Sequence, residues 1–342
     1  QGGLESLREV WPMIHPIPPG TRDVLPDEMR ELRKLKDALI EVFEARGYGE
    51  VATPAIEYDE VMARGDGRAA RSSYRFFDES GELLALRSDM TVPIARLVAG
   101  RYAGEEPPYR LCYLASTYRA VRPQRGQMRE FLQAGVELIG ASAAEGTVEV
   151  IEVLGAALDA ADLDRAVIGL GDADLYRQLL EELGVGDEAR DAVLARLAAH
   201  DLVGLEQQLL EAGLGAEQAA TCVQLTQLRG GSEVLDQARG LGGAAVERAI
   251  GRLSETYDEL QRRGAGERVQ IDLGLLRDLG YYSGAILEVY DPAVGHVLGG
   301  GGRYDGLMKR FGLDLSAAGF ALYLERVHTA QMEESRQGRG AS

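Results

Sequence analysis

The sequence contains few of the residues that usually bind metal ions or form disulfide bridges. Its two cysteines, Cys112 and Cys222, are far apart and fit no CxxC pattern, and its four histidines fall singly. Neither the ligand spacing of a zinc site nor a disulfide framework is therefore recognisable. We expect no bound metal ion and no cofactor.

The sequence also lacks an apolar run long enough to span a membrane, and no signal peptide precedes the first predicted elements. We therefore expect a soluble, cytoplasmic protein that does not associate with membranes. Basic residues are outnumbered by acidic ones, 37 to 55, so the formal net charge is −18. Such a chain is poorly suited to hold a polyanion over a broad surface, since neutralisation of phosphates drives that binding. The charge argues against tRNA as a partner.

Helical periodicity dominates one internal segment, residues 172–264. Its apolar residues are three and four apart, and glycines divide it into roughly four helices. It has no lysine, and nine arginines against 17 acidic residues give it a net charge of −8. We interpret it as a helical lobe whose acidic surface does not suit RNA. The full length of 342 residues, 45% of them apolar, predicts a globular chain with one large or two modest domains.

A basic hairpin is predicted for residues 109–140. Two strands flank a loop, and the second strand carries Gln133 and Glu137 on one face, about 13 Å apart at the usual strand rise. A glutamine and a glutamate beside clustered arginines suit a zwitterion and a phosphate. A solvated hairpin with a charged tip fits the same residues, so both interpretations stay open. The loop arginines are Arg119, Arg122, Arg125 and Arg129.

The order of residues in this hairpin resembles motif 2 of the class II aminoacyl-tRNA synthetases, and that of the histidyl enzyme most closely. The matching residues are YR at 118–119, RPQ at 122–124 and QxGxE at 133–137. PPGTRD is followed by a predicted helix, whose apolar residues at helical spacing are Leu32, Leu35, Leu39, Val42 and Phe43, and by a predicted strand at 48–56. This order, with VATPAIE after the helix, resembles motif 1, which builds the homodimer interface in that family. SAAGFALYLER, at 316–326, resembles motif 3.

The motifs follow the family's order over residues 13–330, and this resemblance implies an α+β fold. The implied architecture is a mostly antiparallel sheet flanked by helices. The synthetase-like core would be discontinuous, comprising residues 13–171 and 265–330, and the helical insertion lobe would be residues 172–264. Residues 1–12 and 331–342 are expected to be flexible termini.

One motif is closer to a branch of the family that does not charge tRNA. LRSDMT, at 86–91, stands where the histidyl enzymes carry LRPEGT, and it resembles the regulatory subunits of ATP phosphoribosyltransferase. This resemblance implies a regulatory subunit without catalytic residues, in a hetero-oligomer with a short catalytic subunit. Its expected roles are to activate the first step of histidine biosynthesis and to transmit feedback inhibition by histidine.

The resemblance also implies a ligand site. In the synthetases, the acid and threonine of the LRPEGT motif hold the substrate's α-amino group. The second of two adjacent tyrosines elsewhere in the chain helps to hold the imidazole ring. The matching acid and tyrosines also have structural explanations, as a helix cap and as a buried ring pair. The expected histidine-binding residues are Asp89, Thr91, Gln133, Glu137, Arg277, Tyr281 and Tyr282, and the residual nucleotide- or phosphate-binding residues are Arg119 and Arg326.

Several departures from the synthetase pattern weaken the expected ATP chemistry. Val121 stands where an acid helps to position ATP, and Tyr323 replaces a small glycine beside the adenine slot. Only sixteen residues follow Arg326, so we expect no anticodon-binding domain. Retained Arg119, Arg277 and Arg326 favour the alternative, a truncated histidyl-tRNA synthetase-like ligase that activates an amino acid with ATP. A dimeric scaffold with an inactive pocket is the third hypothesis.

Overall fold

The protein is described by a computed structural model that covers residues 17–65, 73–102, 104–120, 128–276 and 280–340. Within these ranges the chain forms twelve strands, most of them short. They are β1 (Gly49–Glu50), β2 (Ile56–Tyr58), β3 (Arg75–Phe77), β4 (Leu83–Leu86), β5 (Tyr109–Tyr118), β6 (Glu130–Ile139), β7 (Val167–Asp172), β8 (Arg229–Gly230), β9 (Val269–Asp272), β10 (Ala285–Tyr290), β11 (Gly299–Arg303) and β12 (Ala317–Tyr323).

The same ranges contain twelve helices. None of these helices is both long enough and apolar enough to cross a membrane. They are α1 (Pro26–Ala45), α2 (Asp59–Gly65), α3 (Thr91–Arg101), α4 (Ala143–Ala160), α5 (Leu175–Glu182), α6 (Asp187–Ala198), α7 (Leu202–Glu211), α8 (Ala216–Thr226), α9 (Glu233–Arg239), α10 (Ala244–Arg262), α11 (Asp305–Arg310) and α12 (Leu324–Gly340).

A nine-stranded sheet organises the described part of the chain. Its strand order is β1-β5-β6-β12-β11-β10-β7-β9-β8, and neighbouring strands are antiparallel except β1 with β5 and β7 with β9. Helices flank this sheet, so the predicted α+β fold with a mostly antiparallel sheet is confirmed. The three remaining strands form a small antiparallel sheet in the order β2-β4-β3.

Helices α1, α4 and α12 cover one face of the large sheet. Helix α1 begins with Pro26, whose fixed backbone angle suits a first helical position. It buries Leu32, Leu35, Leu39 and Phe43, the helical spacing of an amphipathic stripe. The Phe43 ring packs edge-on against that of Phe320 in β12, with centroids 5.9 Å apart. The predicted helix and its apolar face are therefore confirmed.

The opposite face of the sheet carries the polar residues of the central hairpin. In the β6–β12 ladder, Gln133 pairs with Tyr323 and Glu137 pairs with Gly319. In the β5–β6 ladder, Gln133 pairs with Ala115. Because side chains alternate along a strand, Gln133 and Glu137, which are four residues apart, share one face. Their directly paired neighbours point to the same side. The alternation in the sequence correctly predicted this arrangement.

The segment 172–264, which the structure describes completely, contains six helices, α5–α10, and the short strand β8. The prediction of roughly four helices was too low, because not every break is made by glycine. One break lies at His200, which has a positive φ of 53°, followed by Asp201 at the start of α7. The Asp201 Oδ1 atom accepts a hydrogen bond from Gly204 N at 2.9 Å, the contact of a helix cap.

Two other stretches differ from their predicted structure. Residues 48–56 do not form one strand, because the chain leaves the large sheet after Glu50 and enters the small sheet at Ile56. Residues 331–340 were expected to be flexible, whereas α12 continues to Gly340. Side-chain contacts fasten this helix to the core: Gln331 Nε2 donates to Ala161 O at 2.6 Å, and Glu334 accepts from the backbone N–H of Arg165 at 3.1 Å.

A buried ion pair ties helix α10 to the sheet. Arg252 donates to both carboxylate oxygens of Asp172, at 2.7 and 3.0 Å, and the Asp172 side chain is fully buried. Arg252→Ala leaves this carboxylate without its cation. We expect the free energy of unfolding to fall by about 2 kcal/mol, which is less than for a fully buried ion pair because Arg252 is partly exposed. The urea midpoint of the ligand-free protein measures this.

Arg248→Ala is the matched control for that ion pair. Arg248 lies on the same helix and donates to Gln178 at the exposed surface, so its loss should change stability by no more than about 0.5 kcal/mol. Equal shifts for the two variants would contradict a special role for the Asp172–Arg252 pair.

Candidate functional site

The candidate site is a pocket on the sheet face opposite α1, over β6 and β12. Its cavity volume is about 30 Å³. Small-molecule sites commonly measure about 300–1,000 Å³, so a ligand would enter only if side chains of the pocket moved apart. The polar and aromatic side chains that line it are Asp89, Thr91, Tyr113, Arg119, Gln133, Tyr281, Tyr282, Tyr304 and Tyr323.

Glycines in the sheet make room for these side chains. A Cβ atom on Gly319 would lie 1.9 Å from Glu137 Oε2, and one on Gly135 would lie 2.5 Å from Tyr113 Oη. Both distances are far below contact distance, so a larger residue at either position would displace a side chain of the site. Glycine therefore stands at the two positions where the Glu137 carboxyl group and the Tyr113 hydroxyl lie against the sheet.

The Glu137 carboxyl group lies behind the pocket lining, against Thr91 and Tyr304, and its residue is 1% exposed. It accepts hydrogen bonds from Thr91 Oγ1 at 2.8 Å and from Tyr304 Oη at 2.5 Å. Burial raises the pKa of Glu137 to about 8, and the nearby Asp89 adds to this effect. The Glu137 carboxyl group can thus bind either a proton or a cationic group of a ligand.

Asp89 lies at the start of α3, where it serves the helix as well as the pocket. Its Oδ1 atom accepts a hydrogen bond from Val92 N at 3.0 Å, so the capping role expected of this residue is present. Burial raises the pKa of Asp89, while the Arg119 guanidinium opposes that shift. Asp89 thus lines the pocket, and the Glu137 carboxyl group lies directly behind Thr91 and Tyr304 of the same lining.

Gln133 presents an unused acceptor to the pocket. Its residue is 3% exposed, and no group among the described residues donates to its Oε1 atom. A buried acceptor without a donor costs about 1–3 kcal/mol. A ligand that brings an N–H group to this position would remove that cost.

Aromatic rings form the wall of the pocket. The rings of Tyr281 and Tyr282 have centroids 4.9 Å apart, and Tyr281 also packs edge-on against Tyr304 at 6.2 Å. Sequence reasoning did not select Tyr304 or Tyr113 as site residues. Tyr304 follows β11, outside the motifs, and Tyr113 lies on the first strand of the hairpin among other aromatic and apolar residues. The run RYDG after the glycine-rich strand β11 is the only local signal for Tyr304.

The two expected phosphate-binding arginines both contact Tyr323. Arg119 Nη2 lies 3.4 Å from Tyr323 Oη, and Arg326 Cζ lies 4.7 Å from the centre of the Tyr323 ring. Arg326 also donates to Val297 O at 2.7 Å. Arg119 lines the pocket, whereas Arg326 meets it through the Tyr323 ring.

The structure thus brings together Asp89, Thr91, Gln133, Glu137, Tyr281, Tyr282 and Arg119, as the sequence predicted for a single site. Arg277 lies outside the described residues, as do Arg122, Arg125 and Val121. Among the described residues no group of three or more His, Cys, Asp or Glu side chains is arranged to hold a metal ion.

A wider groove lies between α4 and α10, but it is the weaker candidate. Several of its charged groups are paired within the chain, as Arg252 with Asp172 and Arg303 with Asp305. The smaller pocket instead has one buried carboxyl group in its lining, a second directly behind it, and a buried acceptor to which no described group donates. These are the features expected where a ligand with several N–H groups binds.

The raised pKa of Glu137 predicts a pH dependence of stability. The folded protein keeps a proton that the unfolded chain loses above pH 4.5, so stability should fall as the pH rises towards about 8. Glu137→Gln keeps the shape of the side chain and cannot titrate. We expect the melting temperature of the ligand-free wild type to fall, relative to this variant, between pH 5 and 8. Parallel curves would contradict the assignment.

Comparison with known proteins gives the same family from sequence and from structure. The family model described as histidyl-tRNA synthetase matches residues 20–327. The ATP phosphoribosyltransferase regulatory subunit of Symbiobacterium thermophilum is 43% identical over 321 residues, which cover 93% of this chain and 80% of that protein. The corresponding subunit of Desulforamulus reducens is 41% identical and covers 92% and 78%.

Solved structures agree with these relatives. An ATP phosphoribosyltransferase regulatory subunit/histidyl-tRNA synthetase from Bacillus halodurans superposes with a TM-score of 0.85 at 32% identity, covering 94% of this chain and 84% of that one. A histidine–tRNA ligase subunit from Alicyclobacillus acidocaldarius gives 0.83 at 30% identity, covering 94% and 98%. The chain therefore belongs to the histidyl-tRNA synthetase-like family of ATP phosphoribosyltransferase regulatory subunits.

Proposed function

We propose that this chain binds a short catalytic subunit of ATP phosphoribosyltransferase, activates it in the first step of histidine biosynthesis, and transmits feedback inhibition by histidine. In this proposal the chain contributes no catalytic residue of its own. The names of its relatives support a regulatory role. The observation that carries the histidine part is the buried Gln133 acceptor beside two buried carboxyl groups.

Histidine has the donor groups that this pocket lacks. Its ammonium group suits Asp89 and the Thr91 hydroxyl, while its ring N–H suits the Glu137 carboxyl or Gln133 Oε1. Tyr281 and Tyr282 offer ring faces against which the imidazole can pack. As the family resemblance implies, the proposal gives the carboxylate of the ligand to Arg277, and Arg119 is a cation in the pocket lining.

Feedback requires that histidine bind the active and inhibited states of the complex with different affinities. A coupling of about 1–3 kcal/mol is typical of such systems. The tyrosine wall is attached to the helical segment by two hydrogen bonds, from Gly284 N to Asp174 Oδ2 at 3.0 Å and from Ala173 N to Gly284 O at 2.7 Å. We propose this connection as the route from the ligand to the segment 172–264, which we continue to interpret as a separate lobe inserted into a discontinuous core.

Exposed apolar side chains support the proposed homodimer through the motif 1-like segment. The small sheet exposes Phe77 at 72% and Tyr58 at 49%, and the lead-in to α1 exposes Leu25 at 69%. Apolar surface of this kind is typical of contact surfaces between proteins. By contrast, the charge of −8 on residues 172–264 argues against tRNA as a partner there.

The alternative, an ATP-dependent ligase, depends on Arg119 and Arg326 as phosphate ligands. Both arginines contact the Tyr323 side chain, which is 7% exposed. This arrangement does not favour a bound triphosphate. Exchange of labelled pyrophosphate into ATP that depends on an added amino acid would support the ligase. If no exchange is detected at high protein concentration, only binding of the amino acid remains.

Two substitutions test the histidine site directly. Glu137→Ala removes the buried carboxyl group, and Tyr282→Ala removes one ring of the wall. Since a hydrogen bond to a charged group contributes about 1.5–3 kcal/mol, Glu137→Ala should weaken histidine binding at least about tenfold, and Tyr282→Ala should weaken it in the same direction. Calorimetric titration of the full chain with L-histidine measures both effects.

Glu149→Ala is the control for these variants. The Glu149 carboxylate also accepts a tyrosine hydroxyl, from Tyr48 at 2.9 Å, but Tyr48 does not line the pocket, whereas Thr91 and Tyr304, the donors to Glu137, both do. Its removal should leave the affinity for histidine unchanged. Wild-type affinity in Glu137→Ala or Tyr282→Ala would show that the site has been assigned to the wrong residues.

A further inference from the structure

Tyr323 interrupts a row of small residues along the pocket face of β12. Gly319, Ala321 and Tyr323 alternate along that face, opposite Glu137, Gly135 and Gln133 of β6. The first two leave space above the sheet, whereas the third carries a phenol ring that is 7% exposed. The β12 part of the pocket floor is therefore made of small residues except beside Gln133, where the Tyr323 ring stands.

Three neighbours hold the Tyr323 ring in place. Arg326 lies over one face, Phe131 packs against it with centroids 5.5 Å apart, and Arg119 Nη2 approaches its hydroxyl at 3.4 Å. Arg119 in turn lies 5.5 Å from the centre of the Phe131 ring. A ring held by stacking and cation–π contacts on several sides acts as a fixed wall, because turning it would break these contacts together.

The pocket has opposite polarity at its two ends. The Glu137 carboxyl group lies behind one end, and Arg119 and Tyr323 mark the other, about 13 Å away along the strand. An amino acid whose ammonium group binds at Asp89 and Thr91 can direct its carboxylate towards Arg119. Any group attached to that carboxylate would then meet the Tyr323 ring.

We propose that Tyr323 determines the specificity of the pocket for a free amino acid, and excludes derivatives that are extended at the carboxyl group. This inference rests on the proposed function, because it takes histidine as the ligand. It adds that one side chain limits the length of that ligand. The chain thereby binds the amino acid itself and rejects its bulky esters, amides and anhydrides.

The test compares two amides of histidine that differ only in length. L-Histidinamide and L-histidine β-naphthylamide both lack the carboxylate charge, and only the second has a bulky extension. The ratio of their dissociation constants therefore isolates the effect of length. It is measured by calorimetric titration of the full chain, with L-histidine as the reference ligand.

For the wild type we expect the naphthylamide to bind at least about tenfold more weakly than histidinamide, the usual effect of forcing extra volume into a packed site. Tyr323→Ala should bring the two constants to within about threefold of each other, since it removes the wall. Tyr323→Phe, which keeps the ring and loses only the hydroxyl, should retain the wild-type ratio.

The inference is overturned if the wild type binds both amides equally, or if folded Tyr323→Ala rejects the naphthylamide as strongly as the wild type does. The first outcome needs no variant, so the inference remains testable even if Tyr323→Ala does not fold. If the wild type binds histidine but does not discriminate, only this inference fails. If it binds neither histidine nor histidinamide, the proposed function fails and the inference fails with it.

Discussion

The burial of the Glu137 carboxyl group is the constraint on which the rest of the site depends. A carboxyl group in a sheet interior needs donors and space, and the fold supplies both. Thr91 and Tyr304 provide hydroxyl donors from two elements that are distant in sequence, and Gly319 leaves the volume that the carboxyl occupies. The same arrangement places the unused acceptor of Gln133 in the pocket, and the tyrosine rings form the pocket wall.

Strand alternation and helical spacing predicted much of this fold from sequence, because both are local properties. Gln133 and Glu137 on one face, and the apolar stripe of α1, are of this kind. The resemblance in four motifs predicted the overall sheet. Tyr304 could not be predicted, since its position depends on long-range strand register, and Tyr113 was missed although it lies on the first strand of the predicted hairpin. The division of residues 48–56 between two sheets, and the docking of α12 through Gln331, also depend on tertiary contacts.

The contacts of Arg119 and Arg326 bear on whether the site only binds a ligand or also carries out chemistry. In a site that transfers a nucleotide, cationic groups must face the reacting phosphates, because positioning and charge stabilisation supply most of the catalysis. Here Arg119 and Arg326 contact an aromatic side chain of the chain itself, and Tyr323 closes that end of the pocket. The acidic end remains suited to an amino acid. A pocket of this form fits a subunit that detects a metabolite, and its family membership agrees with a regulatory role.

The central claim is that histidine acts on a catalytic partner through this pocket. The most direct measurement is the rate of phosphoribosyl transfer from phosphoribosyl pyrophosphate to ATP by the cognate short catalytic subunit. It is measured alone, with this protein added, and with histidine added to the mixture. We predict activation on mixing, reversal by histidine, and loss of that reversal with Glu137→Ala. No activation and no co-elution of the two chains would contradict the account.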